Sequence, residues 1–296
     1  MSGRALLVGA GPGDPELLTL KAVRAIAAAD VILVDALVDR GALAHARPDA
    51  RIVDVGKRGG GRSTSQAFIE RLLVREARAG RTVVRLKGGD PCVFGRGGEE
   101  CDALRAAGIA VEIVPGITAG IAAPAAIGVP VTDRRHAPGV AFVTGQVQVG
   151  GAEPDWAALA RSGLTLVIYM GVERCAAIVA RLLAAGLAPA TPAAAIEQAH
   201  TPRQREHLTT LAQLPADLAR LGIGAPAILV IGEVVRAAAA LAAGEAAPAP
   251  GPARLGAPSG WRPLARTDDE LCKRSRQRRR LGCVQGIGNP RVTGAA

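Results

Sequence analysis

Short apolar runs alternate with segments of helical periodicity from residue 4 to about residue 235. Between the runs of the first half, the periodicity predicts helices around residues 17–28, 65–79 and 99–107. Strands that alternate with helices are typical of a largely parallel sheet that is covered on both faces. The predicted strands of this half are ALLVGAG, ADVILVDAL, RIVDVG, TVVRLKGGD and VEIVPG.

The second half repeats this pattern of apolar runs. Four further runs predict strands, and the segment VPVTDRRHAPG interrupts the apolar rhythm with prolines and charges, as a domain boundary does. We therefore expect an N-terminal α/β domain over residues 1–134 and a C-terminal α/β domain over residues 135–243. The strands predicted in this half are GVAFVTGQ, LTLVIYMG, TPAAAIEQ and PAILVIGEVV.

The chain changes character after about residue 243. A stretch rich in proline, alanine and glycine leads into the charge run DDELCKRSRQRRRLGC, which predicts a disordered basic tail over residues 244–296. Such a tail either binds nucleic acid or an anionic surface, or is an extension without a role. Aromatic residues make up only 2% of the chain, so few are available to stack on bases, and a nucleic-acid partner is not expected.

Composition restricts the class of protein further. No apolar run approaches the roughly 20 residues that span a bilayer, and the N-terminus lacks a signal-peptide pattern, so we expect a cytoplasmic protein without a membrane partner. The five cysteines form no C-x-x-C pair, and the four histidines show no ligand spacing. The sequence therefore predicts neither a disulfide framework nor a metal site.

The first glycine loop resembles a dinucleotide-binding turn but lacks its third glycine. In GAGPGDP that position is Asp14, followed by Pro15, and this pair fits the start of a helix better than a pyrophosphate site. Further glycines follow predicted strands in LKGGDP and in VPGITAG. Because ligands bind at the carboxyl ends of strands in an open α/β sheet, we expect these loops to converge on one site.

The order of the motifs VGAGPGDPELLTLKA, DALV, VGKRGG, VVRLKGGDPCVFGRGGEE, EIVPGITAGIAAPAAIGVPVTDR, YMGV and PAILVIGEVV resembles the tetrapyrrole methylase family. The resemblance covers residues 3–236, and LKGGDPCVFGRGGEE is its most specific segment. It implies two α/β domains with S-adenosylmethionine between them, in a homodimer.

The implied activity is methylation of uroporphyrinogen III at C2 and C7. The product is precorrin-2, for siroheme or cobalamin synthesis, and the methyl donor leaves as S-adenosylhomocysteine. Members of the same fold that act on later precorrins, on a protein or on ribosomal RNA are the alternative, and a nucleotide- or nucleic-acid-binding protein is a weaker one.

The resemblance also assigns roles to individual residues. A proton acceptor falls on Asp35 and a donor on Lys57, although Asp35 is also suited to capping a helix and Lys57 to binding a substrate carboxylate. The implied cofactor contacts are Pro12, Gly88, Gly89, Asp90, Val93, Thr118, Ala119, Met170, Ala199 and Ala225. Candidates for substrate carboxylates are Arg58, Arg62, Arg96, Arg134 and Arg135.

Overall fold

A computed structural model describes residues 3–56, 64–147 and 151–238. Its first half forms a five-stranded sheet with the strand order β3-β2-β4-β1-β5. All four pairings in this sheet are parallel, as the alternation of strands and helices predicts. The strands are β1 (Arg4–Gly9), β2 (Val31–Val34), β3 (Arg51–Asp54), β4 (Thr82–Lys87) and β5 (Ala110–Val114).

Three helices cover the two faces of the first sheet: α1 (Leu20–Ala27), α2 (Gln66–Arg78) and α3 (Gly97–Ala106). Val84 and Leu86 of β4 face the side that α1 covers, whereas Val83 lies in the cluster with residues of α2 and α3. Because successive strand residues face opposite sides, the continuous apolar runs follow from a sheet that is buried on both faces.

The chain between β1 and α1 explains the altered glycine fingerprint. The Glu16 amide donates to Asp14 Oδ1 at 2.8 Å, and Asp14 caps a short 3-10 helix over Pro15–Leu17. The α-helix itself begins only at Leu20, with Thr19 as its cap. The predicted cap is therefore confirmed, but it belongs to a separate turn that precedes α1.

The second half forms another five-stranded sheet, with the order β6-β7-β10-β8-β9. Here β6 and β7 pair in parallel, whereas β7–β10, β10–β8 and β8–β9 are antiparallel. The fold class of two α/β sheets is confirmed, and the second sheet differs from the first in being mixed. Its strands are β6 (Val140–Thr144), β7 (Thr165–Tyr169), β8 (Pro192–Glu197), β9 (Arg205–Thr210) and β10 (Ala227–Ile231).

Helices α5 (Trp156–Arg161), α6 (Cys175–Ala184) and α7 (Leu214–Leu221) pack on one face of this sheet. Helix α4 (Ala119–Ala126) follows the first sheet in sequence but packs against β7 and β10 of the second. Because its apolar residues are small, α4 lies close to these strands and links the two halves of the chain.

The predicted domain boundary near residue 134 stays a prediction, and the predicted tail at 244–296 lies outside the described residues. Within the described ranges, no helix is long and apolar enough to cross a membrane.

Candidate functional site

The three glycine loops of the first sheet meet backbone to backbone. A Cβ atom at Gly9 would lie 2.6 Å from the Gly89 carbonyl oxygen and 2.5 Å from the Gly116 nitrogen, so these loops leave no room for a side chain. The Gly89 amide donates to the Gly11 carbonyl at 2.7 Å, and the Gly11 amide donates back at 3.2 Å. The predicted convergence at the carboxyl ends of the strands is therefore present.

Asp90 holds two of these loops together. Its Oδ1 accepts from the Cys92 amide at 2.7 Å, and its Oδ2 accepts from the Gly116 amide at 3.0 Å. The resemblance implies a cofactor contact at Asp90, and the structure uses each of its carboxylate oxygens once for the backbone. Each oxygen retains a second lone pair, so Asp90 shapes the turn and still presents acceptor capacity there.

The turn that enters α4 is held from the second sheet. Tyr169 Oη lies 2.6 Å from Thr118 Oγ1 and 2.6 Å from the Gly120 nitrogen, on either side of Ala119. Burial raises the pKa of Tyr169 despite its hydrogen bonds with Thr118 and Gly120, so the phenol is neutral near neutral pH. A neutral phenol can donate to the threonine oxygen while it accepts from the glycine amide.

Loops of the second sheet approach the same turns. A Cβ atom at Gly13 would lie 3.3 Å from the Ala199 carbonyl oxygen, so the first glycine loop passes close to the chain after β8. The Gln198 amide donates to the Pro226 carbonyl at 3.0 Å, which places the residue after Ala225 beside this segment. Pro12 therefore lies between Gly11, which bonds to Gly89, and Gly13, which approaches Ala199.

Exposed apolar side chains and left-handed backbone occur together at these strand ends. Phe94 and Met170 are 41% and 45% exposed, and their φ angles are +52° and +53°. The Phe94 ring lies 4.9 Å from the Tyr169 ring, between centroids, while Val93 and Ala119 pack against the apolar cluster that includes Tyr169. Left-handed residues other than glycine are uncommon and cluster at ligand sites, which favours this surface as a binding surface.

Asp35 follows β2 and lies beside a buried group of charges. Its Oδ1 is 3.6 Å from Arg85 Nη2, and Arg85 Nε donates to Glu100 Oε1 at 3.1 Å. Lys87 Nζ lies 3.3 Å from the same Glu100 oxygen. Burial above all, followed by the charge of Arg85, lowers the pKa of Lys87. We call Asp35, Arg85, Lys87 and Glu100 the buried charge cluster.

Three members of this cluster, Arg85, Lys87 and Glu100, are not among the site residues that the sequence predicts. Arg85 and Lys87 alternate along β4 with Val84 and Leu86, so they lie on the opposite face of the sheet, the face on which the first turn of α3 packs. That alternation within an otherwise apolar strand is the signal that could have found them.

The loop after β2 also reaches the glycine turn. A Cβ atom at Gly88 would lie 2.9 Å from Leu37 Cβ, and Leu37 lies two residues beyond Asp35. The structure thus brings Asp35 and the Gly88–Asp90 turn to one edge of the sheet. Lys57, the predicted proton donor, lies outside the described residues.

Two of the predicted substrate arginines are already paired with carboxylates. Arg96 donates to both Glu99 oxygens, at 2.9 and 2.6 Å, and Arg135 donates to both Asp133 oxygens, at 3.0 and 2.7 Å. Arg134 is exposed, and Arg58 and Arg62 lie outside the described residues. Across residues 3–56, 64–147 and 151–238, no group of three or more His, Cys, Asp or Glu side chains is arranged to hold a metal ion.

Taken with the fold, these loops identify the class of protein. The model of the family Tetrapyrrole (Corrin/Porphyrin) Methylases matches residues 5–215, and the chain belongs to this family. A uroporphyrinogen-III C-methyltransferase of Pseudomonas aeruginosa is 58% identical over 236 residues, which are 80% of this chain and 96% of the relative.

Solved structures agree with this assignment. The uroporphyrin-III C-methyl transferase of Thermus thermophilus, complexed with S-adenyl homocysteine, has a TM-score of 0.68 and 48% identity, covering 79% of this chain and 99% of the other. A siroheme synthase of Azotobacter vinelandii is 49% identical over 79% of this chain, but this chain spans only 50% of that protein.

Proposed function

We propose that the chain transfers methyl groups from S-adenosylmethionine to C2 and C7 of uroporphyrinogen III and so makes precorrin-2. The observation that carries this proposal is the 58% identity to a uroporphyrinogen-III C-methyltransferase over nearly the whole length of that relative. A cobalt precorrin-4 methyltransferase shares the fold with a TM-score of 0.71 but only 26% identity. Sequence similarity therefore favours the uroporphyrinogen substrate over a later precorrin.

The strand-end loops fit S-adenosylmethionine. Glycine and alanine backbone at Gly88, Gly89, Ala119 and Ala199 allows close approach of a ligand, and the exposed thioether of Met170 suits the face of an adenine ring. The remaining contacts of the proposed set are Pro12, Asp90, Val93, Thr118 and Ala225. When bound, S-adenosylmethionine supplies a methyl group on an electrophilic sulfonium.

The task of the protein is then to align a pyrrole carbon with that methyl group and to manage one proton per transfer. The new carbon–carbon bond forms as the carbon–sulfur bond breaks, S-adenosylhomocysteine leaves, and the substrate releases a proton. Asp35 accepts this proton at its carboxylate, which is one-third exposed and passes the proton to water. Lys57 is proposed as the donor of a proton that the methylated rings take up as they rearrange, balanced by a proton lost from another ring atom. Holding the reactants in line supplies most of the acceleration.

We further propose that the chain acts as a homodimer in the cytoplasm. The similarity to siroheme synthases supports a product that feeds siroheme synthesis, with cobalamin as the second destination.

The proposal is tested by incubating the full chain with S-adenosylmethionine and enzymatically generated uroporphyrinogen III. We expect a product that has gained two methyl groups by mass, with two molecules of S-adenosylhomocysteine formed per product. A control without S-adenosylmethionine should return the substrate unchanged. No methyl gain, or methylation only of a later precorrin, would contradict the proposal and favour another member of the family.

A further inference from the structure

Tyr169 is the only tyrosine of the chain, and it connects the two sheets at the predicted cofactor turn. It ends β7 in the second sheet, whereas its two hydrogen-bond partners, Thr118 and Gly120, follow β5 of the first. The side chain is buried, and its ring packs against Phe94 and Phe142 with centroid distances of 4.9 and 5.9 Å. Packing therefore fixes the position of the hydroxyl group before any ligand binds.

The hydroxyl also replaces a missing helix cap. Thr118 occupies the N-cap position of α4, but its side chain makes no capping hydrogen bond to the helix. Its Oγ1 instead faces Tyr169 Oη. Tyr169 Oη in turn accepts from the Gly120 amide at the start of α4. Because the first amides of a helix lack partners within it, the turn depends on this outside acceptor.

The backbone around Tyr169 is constrained on both sides. The Gly145 amide donates to the Tyr169 carbonyl at 2.7 Å, and Met170 adopts a φ of +53°, so the side chain of Tyr169 is buried while that of Met170 is exposed. A Cβ atom at Gly120 would lie 2.8 Å from the Tyr169 ring carbon Cζ, which leaves no room between the turn and the phenol. The turn and the strand end are thus fitted to each other.

We propose that Tyr169 is a positioning residue for the cofactor, whose hydroxyl holds the Thr118–Ala119 turn in the geometry that binds S-adenosylmethionine. This inference rests on the proposed placement of the cofactor at Thr118 and Ala119. Without the hydroxyl, Thr118 Oγ1 and the Gly120 amide lose a buried partner, and the turn must reorganise or remain unsatisfied. The chemical step itself does not involve Tyr169.

The test is Tyr169→Phe, which keeps the ring and removes the hydroxyl. We expect the Kd for S-adenosylhomocysteine, measured by calorimetry on the full chain, to rise about tenfold or more. The KM for S-adenosylmethionine should rise by a similar factor, while kcat at saturating donor and the KM for uroporphyrinogen III change little. The double variant Tyr169→Phe with Thr118→Val should lose less affinity than the sum of the losses in the two single variants. The reason is that both substitutions remove the same hydrogen bond, between Tyr169 Oη and Thr118 Oγ1.

Thr209→Val is the matched control, because Thr209 Oγ1 makes an equally short hydrogen bond, 2.6 Å to Asp217, at the outer strand of the second sheet. It should leave the cofactor affinity unchanged. If Tyr169→Phe is folded and binds S-adenosylhomocysteine normally, or weakens it no more than Thr209→Val does, the inference is wrong.

Gly89→Val distinguishes this failure from failure of the proposed site. A β-branched residue strains the left-handed backbone there, where φ is +65°, and its methyl groups enter the proposed ligand space. Weak binding by Gly89→Val with normal binding by Tyr169→Phe would overturn the role of Tyr169 alone. Normal binding by both variants would overturn the cofactor placement as well.

Discussion

Two fully buried glutamates at opposite ends of the first sheet are used in different ways. Glu76 is 1% exposed and lies in the last turn of α2, beside the amino ends of the strands. It pairs with three arginines whose own side chains are 46% to 68% exposed: Arg51, Arg75 and Arg81. The cations can therefore reach water even though the carboxylate cannot.

Glu100 is 0% exposed and lies in the first turn of α3, at the carboxyl ends of the strands. Its cationic partners, Arg85 and Lys87, are buried as well. Within the part of the chain that the structure describes, its Oε2 has no hydrogen-bond partner. At the amino ends of the strands, the cations of the ion pairs are therefore in contact with water. At the carboxyl ends, the charges of Glu100, Arg85 and Lys87 are buried beside Asp35, where we propose the chemistry.

Glu100→Gln tests this difference with the largest expected effect. It leaves Arg85 and Lys87 buried without their shared anion, so we expect the free energy of unfolding to fall by about 3–5 kcal/mol in denaturant titrations. Adding Lys87→Met removes the excess cation and should recover part of that loss. A loss no larger than that of Glu76→Gln would show that the two ends do not differ in solvation.

Glu76→Gln should lower the free energy of unfolding by less, about 2–3 kcal/mol, because its three arginine partners are half-exposed and can be hydrated. Burial alone would raise the pKa of Glu76, but hydrogen bonds from Arg75, Arg51 and Arg81, together with the charge of Arg51, lower it to about 2. A pKa below the usual 4.5 means that the carboxylate stabilises the fold above pH 4.5.

This contribution disappears as the pH falls from 4.5 through about 2. Glu76→Gln should therefore be less stable than the unchanged chain near neutral pH and approach it at strongly acid pH. Denaturant midpoints measured across this range provide the check. A constant difference at every pH would mean that ionisation of Glu76 does not contribute.

The sequence predicts the strands of the first sheet well because each is an apolar run bounded by turn residues. It misses β9, whose residues REHLTT are mostly polar and lie at a sheet edge, where each is exposed or only partly buried. It also gives no sign that the second sheet is mixed. That difference follows from the three antiparallel pairings β7–β10, β10–β8 and β8–β9, and a run of apolar residues does not encode its own direction.

The site was predictable where it depends on local geometry. Glycine turns after parallel strands must meet at one edge, so the convergence of Gly9, Gly89 and Gly116 follows from the topology. The contact of Tyr169 with Thr118 joins residues 51 positions apart through the packing of α4 on the second sheet. Such a contact depends on tertiary structure, which the pattern of residues along one strand does not contain.

The most direct test of the division between the two ends compares turnover per folded molecule in Asp35→Asn and Glu76→Gln. Asparagine keeps the shape of Asp35 but cannot accept a proton, so turnover of uroporphyrinogen III should fall by about 100-fold or more, with little change in cofactor affinity. Glu76→Gln, measured where it is fully folded, should retain normal turnover. Near-normal turnover in Asp35→Asn, or an equal loss in both variants, would contradict the account.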